Sequence, residues 1–111
     1  MSLTFNLIRQ GDGEITVFSA KISHHLADMA DSVGIWEVIW NPIHEQAMDA
    51  IEPLTLGVNE LKRHPEKYRR YDSPNGWGTY DSFVPWLDEV IEACKEHPMA
   101  MIKVHTSRLR R

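Results

Sequence analysis

Three groupings in this 111-residue chain bring together side chains that can do chemistry. His24 and His25 stand side by side, and Asp28 follows His24 by four residues. On a helix, a His and an Asp at that spacing share one face and supply two of the ligands that a metal ion needs. His44 and Glu45 offer further ligands from another segment. Asn75-Gly76-Trp77-Gly78-Thr79-Tyr80 gathers an amide and two aromatic rings around two glycines. Such a corner, with backbone amides at a helix start, suits a planar or anionic ligand. Cys94 and His97 lie three apart, close enough for an imidazole to activate a thiolate.

Each grouping also has a structural reading. Neighbouring histidines on a helix point about 100° apart. Two ligands on one element do not complete a metal site, and neither H-x-x-x-H nor H-E-x-x-H occurs. No metal or cofactor is therefore assigned. His24 then satisfies backbone groups near a helix start, while His25 is exposed or half-buried. Cys94 continues the apolar stripe of a helix and reads as core. Asn75-Gly76 forms a turn, and Trp77 caps the core and fixes the entry of the following helix. No catalytic residue is assigned. The candidate ligand-binding set is His24, His25, Asn75, Trp77 and Tyr80.

The elements that must position these residues follow from the apolar spacing. Residues 3–9 and 14–20 alternate apolar and polar side chains around Gly11-Asp12-Gly13, which predicts a β-hairpin. Leu3, Phe5, Leu7, Ile15 and Val17 should share one face. Ser23 is the expected N-cap of a first helix carrying Leu26, Met29, Ala30 and Val33, and Gly34 ends it. Residues 35–40 are apolar enough to be buried, as a short strand or a helical turn. A short helix is expected over 44–51, and a separate one from Pro53, with Leu54, Val58 and Leu61 inward. Residues 65–71 suggest one or two further turns. Thr79 caps the last helix, with Phe83, Leu87, Val90, Ile91 and Cys94 inward and Pro85 delaying its start. Residues 99–106 form a final strand that pairs with the hairpin. The expectation is one domain over 1–111 of α+β class: an N-terminal hairpin and a C-terminal strand in a small antiparallel sheet, packed against several helices.

Composition narrows the function classes. The formal net charge of -4 gives no global attraction to nucleic acid or to an anionic membrane. The cluster Lys103, Arg108, Arg110 and Arg111 reads as a solvated tail. No apolar run approaches the ~20 residues of a membrane span. With one cysteine, no intrachain disulfide forms, and no signal peptide is recognisable, so a cytoplasmic location is expected. Trp36, Trp40 and Trp86 lack the interleaved Lys and Arg of a single-strand binding surface and read as core or interface.

The motifs Arg-x-Gly-Asp-x-Glu-Ile, Ile22-Ser23-His24-x-Leu26, Asn75-Gly76-Trp77-Gly78-x-Tyr80 and Ala93-Cys94-x-x-x-Pro98, with Ser107-Arg108 at the end, run through most of the chain. In these it resembles a family of small uncharacterised bacterial proteins, some associated with phage-like regions. It departs from that pattern at His25, where the family has an asparagine. The resemblance implies a compact bacterial domain and brings no activity with it. The expected function is a protein-binding or accessory module without catalytic activity, whose partner is another protein or a second copy. The alternative is a small-molecule binder or enzyme with its site between the 75–80 loop and the His24-His25 helix start.

Overall fold

Leu3, Phe5 and Leu7 are fully buried, and their alternation makes β1 (Ser2–Gln10) the middle strand of the sheet. β2 (Glu14–Ser23) returns beside it through a turn in which Gly13 has φ 135, a value that favours glycine. β3 (Met101–Ser107) pairs with the other side of β1, so the order is β2-β1-β3 with every pairing antiparallel. This computed structural model describes residues 2–42 and 45–107. Among these residues, five α-helices and two 3₁₀ turns lie between the hairpin and β3, which makes the fold α+β.

One irregularity sets the faces of the hairpin. Leu7 pairs with Phe18 and Ile8 with Thr16, which leaves Val17 as an extra residue in β2. Phe18, Ala20 and Ile22 therefore share the face of Leu7, Phe5 and Leu3. The expected inward set named Val17 and Ile15 instead. Val17 loses its partner in β1 at the bulge but still packs, partly buried, against the core. Ile15 does share the face through its pairing with Arg9, but it lies at the hairpin end and is 49% exposed. The other face is mainly polar. There Ser19 Oγ donates to Asn6 Oδ1 at 2.7 Å, and Lys103 Nζ reaches Glu14 Oε2 at 3.0 Å.

The hairpin leads into a 3₁₀ turn, His24–Leu26, which Ser23 caps by accepting the His25 N–H. α1 (Ala27–Ser32) follows and stops at Gly34, whose φ of 77 suits only glycine without strain. Residues 35–40 take the helical alternative, as the single turn α2 (Trp36–Ile39). α3 (Ala47–Arg63) corrects the expectation of two helices meeting at Pro53. It is continuous, with Pro53 inside and Ala47, Ala50, Leu54, Gly57, Val58 and Leu61 buried along one stripe. The hydrogen bond lost at Pro53 is outweighed by apolar burial on both sides of it. The start of α3 is set by a distant segment. Ala47 N–H donates to the Ala100 carbonyl at 2.8 Å and Met48 N–H to that of Pro98 at 3.0 Å, in place of a side-chain cap.

α4 (Pro65–Tyr68) and a 3₁₀ turn, Arg69–Tyr71, lead to the glycine-tryptophan loop. α5 (Tyr80–Glu96) starts where Thr79 caps it. Thr79 Oγ1 accepts the Ser82 N–H, and Ser82 Oγ accepts the Thr79 N–H, both at 3.3 Å. Pro85 does not delay the start, because this reciprocal cap already closes the first turn. α3 and α5 pack together and α5 lies against β2. Their buried faces join those of the strands in one cluster that includes Phe83, Leu87, Val90, Ile91 and Cys94.

Tyr80 connects the two long helices. Its hydroxyl donates to the Leu61 carbonyl at 2.8 Å in a buried setting, satisfying one of the carbonyls left open by the end of α3. Tyr80→Phe should therefore lower stability by about 1–3 kcal/mol in urea unfolding, with the native circular dichroism retained, because an acceptor stays buried without its donor.

Candidate functional site

The 75–80 loop holds itself in place before it can hold anything else. Asn75 Oδ1 accepts from the Ser73 hydroxyl and, at 3.0 Å, from the Trp77 N–H. This is the Asx turn that Asn favours. Gly76 sits at φ 76. Gly76 N–H donates to Ser73 O at 3.0 Å, and Ser73 N–H to Gly78 O at 2.7 Å, which closes the loop at its base. Gly78 is buried against the 3₁₀ turn after β2. A Cβ there would stand 2.8 Å from His25 Cβ and 3.2 Å from Leu26 Cγ. Glycine at 76 supplies a backbone angle, and glycine at 78 supplies room.

The candidate residues divide between these tasks. Asn75 is occupied by the turn. Tyr80 is buried, with its hydroxyl on α3, its N–H on Asp72 Oδ1 at 2.7 Å and the Arg69 guanidinium 4.7 Å from its ring centre. Arg69 also pairs with Asp81 at 2.7 Å. The expected aromatic wall of Trp77 and Tyr80 is therefore not formed. Trp77 does not cap the core either: it is 70% exposed. The tight approach of Gly78 brings the loop onto the 3₁₀ turn and leaves the Trp77 ring outside.

The two histidines separate as adjacent helical residues must. His24 turns to α2, where its Nδ1 accepts the Trp40 indole N–H at 3.2 Å, with the rings edge to face at 6.1 Å. Indole only donates, so Nδ1 is the unprotonated nitrogen. His25 turns to Trp77, edge to face at 5.8 Å, with its Nδ1 3.0 Å from Ser23 Oγ. Of the four candidate rings, His25 and Trp77 are the pair that meets, while Asn75 Oδ1 touches Trp77 at its backbone N–H. His44 lies outside the described residues, as do Arg108, Arg110 and Arg111. Among the described residues, no three His, Cys, Asp or Glu side chains gather as a metal site would require.

A groove runs beside Trp77. A cavity of about 240 Å³ is lined by Lys21, Ile22, Ser23, Leu26, Trp77, Ser82 and Trp86. A shallower one of about 390 Å³ adjoins it at Ser2, Lys21, Ile22, Ser23 and Trp77. Sequence reasoning did not place Lys21, Ser82 or Trp86 at a site, because the groove arises where the end of β2 meets the first turns of α5. The Trp86 ring stacks on Phe83 and meets Phe5 edge-on, and its buried indole N–H has no hydrogen-bond partner among the described residues. The groove offers apolar contact, three hydroxyls and one ammonium. Ser23 and His25 are within hydrogen-bond reach, but the Ser23 oxygen already caps the turn. Nucleophilic catalysis would also need an oriented base and an oxyanion site.

Cys94 is fully buried on the inner face of α5, and burial pushes its thiol up to about 11. His97 lines a separate cavity of about 210 Å³ with Arg9, Gln10 and Met99, which Cys94 does not reach. None of the described helices is long and apolar enough to cross a membrane. Comparison with protein-family models, curated proteins and solved structures gives no match.

Two outcomes follow for variants and reagents. Gly78→Ala should destabilise the fold by about 1–3 kcal/mol, measured as a lower urea midpoint, because the added methyl meets backbone and the root of a side chain. Iodoacetamide at pH 8 should label Cys94 only as fast as the protein opens, so adding urea through the unfolding transition should accelerate the reaction steeply.

Proposed function

We propose that this chain is a recognition module without catalytic activity, which binds another protein through Trp77 as its anchor. The observation that carries the reading is the contrast within the loop. Asn75, Gly76, Gly78 and Thr79 hold the backbone through six hydrogen bonds and a close approach, yet the Trp77 ring they carry is 70% exposed. An exposed tryptophan on a backbone of fixed shape loses little freedom on binding and offers a large apolar surface. Tryptophan is also enriched among the residues that dominate interface energies. The groove at Ile22, Leu26 and Trp86 extends this surface. The motif resemblance to small, partly phage-associated bacterial proteins fits an accessory role of this kind.

A second reading has one observation in its favour. The orphan indole N–H of Trp86, on a residue that lines the groove, would gain a partner if a small molecule presented an acceptor there. The Lys21 ammonium, which lines the same groove, would then orient that ligand. Quenching or shift of tryptophan fluorescence by small molecules, with a matching rise in melting temperature, would favour this second reading.

The two readings separate in one variant. Trp77→Ala should change the unfolding free energy by less than about 0.5 kcal/mol, because the ring is mostly in water. It should still abolish retention of the partners that the wild-type chain captures from its host, and Trp77→Phe should recover part of it. Unfolding of Trp77→Ala would return Trp77 to a structural role and end the proposal.

A further inference from the structure

The two edges of the sheet differ. The outer edge of β3 is covered at its start: Ile102 N–H donates to Glu45 O at 2.8 Å, and Gln46 bridges to Met101. β2 pairs with β1 along its length except at the bulged Val17, and among the described residues no backbone hydrogen bond reaches its outer side. An open edge of this length is a template for another strand.

Its side chains are complementary to themselves. Residues 14–21 run Glu-Ile-Thr-Val-Phe-Ser-Ala-Lys. Counted inward from both ends, they give opposite charges at Glu14 and Lys21, apolar groups at Ile15 and Ala20, hydroxyls at Thr16 and Ser19, and apolar groups at Val17 and Phe18. Antiparallel pairing with a second copy, centred between Val17 and Phe18, sets each residue against its match. The faces agree as well. Glu14, Thr16, Ser19 and Lys21 pair with Gln10, Ile8, Asn6 and Thr4 of β1, on the open face. Ile15, Phe18 and Ala20 pair with Arg9, Leu7 and Phe5, on the helix face. This agreement depends on the bulge. Glu14 and Lys21 are seven apart, so strict alternation would put them on opposite faces, and the extra residue Val17 brings them to one. The bulges of two copies meet at the same point and add no further offset.

We propose that β2 is a self-association edge. Two copies join β2 to β2 about a two-fold axis, forming a six-stranded sheet in the order β3-β1-β2-β2-β1-β3. Glu14 of each copy lies beside Lys21 of the other, and Ile15, half-exposed in the single chain, packs against Ala20. A lysine on an edge strand commonly guards against pairing. Here Lys21 repels a parallel copy, where it would face another Lys21, and attracts an antiparallel one. It forms no ion pair among the described residues, so it is free for that contact. Lys103 on β3 already pairs with the Glu14 carboxylate across β1 at 3.0 Å and keeps its pKa below the usual carboxylate range, so the pairing of copies shares this partner with Lys21 or exchanges it for Lys21. The proposal rests on the strand edge and not on Trp77, although Lys21 also lines the groove beside that ring.

Sedimentation equilibrium on the full chain tests it by charge exchange. The wild-type chain should show twice the chain mass at concentrations on the order of 100 μM, in keeping with a small interface. Glu14→Lys and Lys21→Glu should each weaken the dimer on the order of tenfold, since every like-charge contact occurs twice about the axis. The double variant Glu14→Lys/Lys21→Glu should recover most of that loss. A wild-type chain that stays monomeric at these concentrations, or a double variant no better than the single ones, overturns the proposal. Should a variant fail to fold, amide exchange on the wild-type chain decides. Protection of β2 amides that rises with protein concentration is expected, and exchange independent of concentration refutes the pairing.

Discussion

The junction at Tyr80 is the constraint on which the rest of the arrangement depends. Three demands meet at this residue. Its hydroxyl satisfies the end of α3, its N–H is tied to Asp72 in the loop before it, and its ring lies under the Arg69 guanidinium, which is itself paired with Asp81. The end of α3, the 3₁₀ turn after α4 and the start of α5 are thereby referred to one side chain. Each bond is modest alone. The hydroxyl bond is buried, where a partner left unmade costs the full desolvation of the other group. With α5 fixed at this end, the reciprocal cap at Thr79 and Ser82 determines where the helix begins, and the stripe from Phe83 to Cys94 meets the sheet in register with Phe5 and Leu7.

That junction also explains why Trp77 is outside. The loop between Asp72 and Tyr80 is pinned at both ends, and Gly78 sits flat on the turn at His25 with no room for a Cβ. A side chain one residue earlier must project away from that contact. Its edge-to-face approach to His25 is what remains within reach. Exposure of a tryptophan to this degree on a fixed backbone is unfavourable for solubility and brings no core stability. Packing does not account for it, and the proposed binding role would.

Local chemistry was readable in the sequence and distant chemistry was not. The hairpin turn, the Ser23 and Thr79 caps, Gly34 and the inward stripe of α5 depend on neighbours within four residues, and each is visible as a residue type at a fixed offset. The start of α3 is set by carbonyls at positions 98 and 100, which no window around residue 47 contains. Pro53 reads locally as a helix start, and only the continuous buried stripe on both sides of it shows otherwise. The bulge at Val17 has no glycine to announce it and depends on the register of both strands. The site divides in the same way. Asn75, Gly76 and Trp77 are recognisable as a loop of special character. The fate of the ring depends on Gly78 meeting a turn fifty residues earlier in the chain. Lys21 and Trp86 belong to the groove only because β2 and α5 adjoin.

The distribution of charge constrains how copies of this fold can meet. The strand-forming segments 2–23 and 101–107, together with residues 108–111 that follow in sequence, carry Arg9, Lys21, Lys103, Arg108, Arg110 and Arg111 against Asp12 and Glu14, a formal +4. Segment 24–100 carries six Lys and Arg against fourteen Asp and Glu, a formal -8, and the two sum to the -4 of the chain. A two-fold joining of β2 edges places both helix layers on the same side of one sheet, so their like charges oppose association. That repulsion acts over distances comparable to the Debye length of about 8 Å at physiological salt and is largely screened there. The cross-strand contacts of Glu14 with Lys21 are shorter than that length and are screened less. Salt therefore removes the opposing term before the favourable one. An acidic helix layer and a self-complementary edge are compatible in one molecule because they act over different ranges.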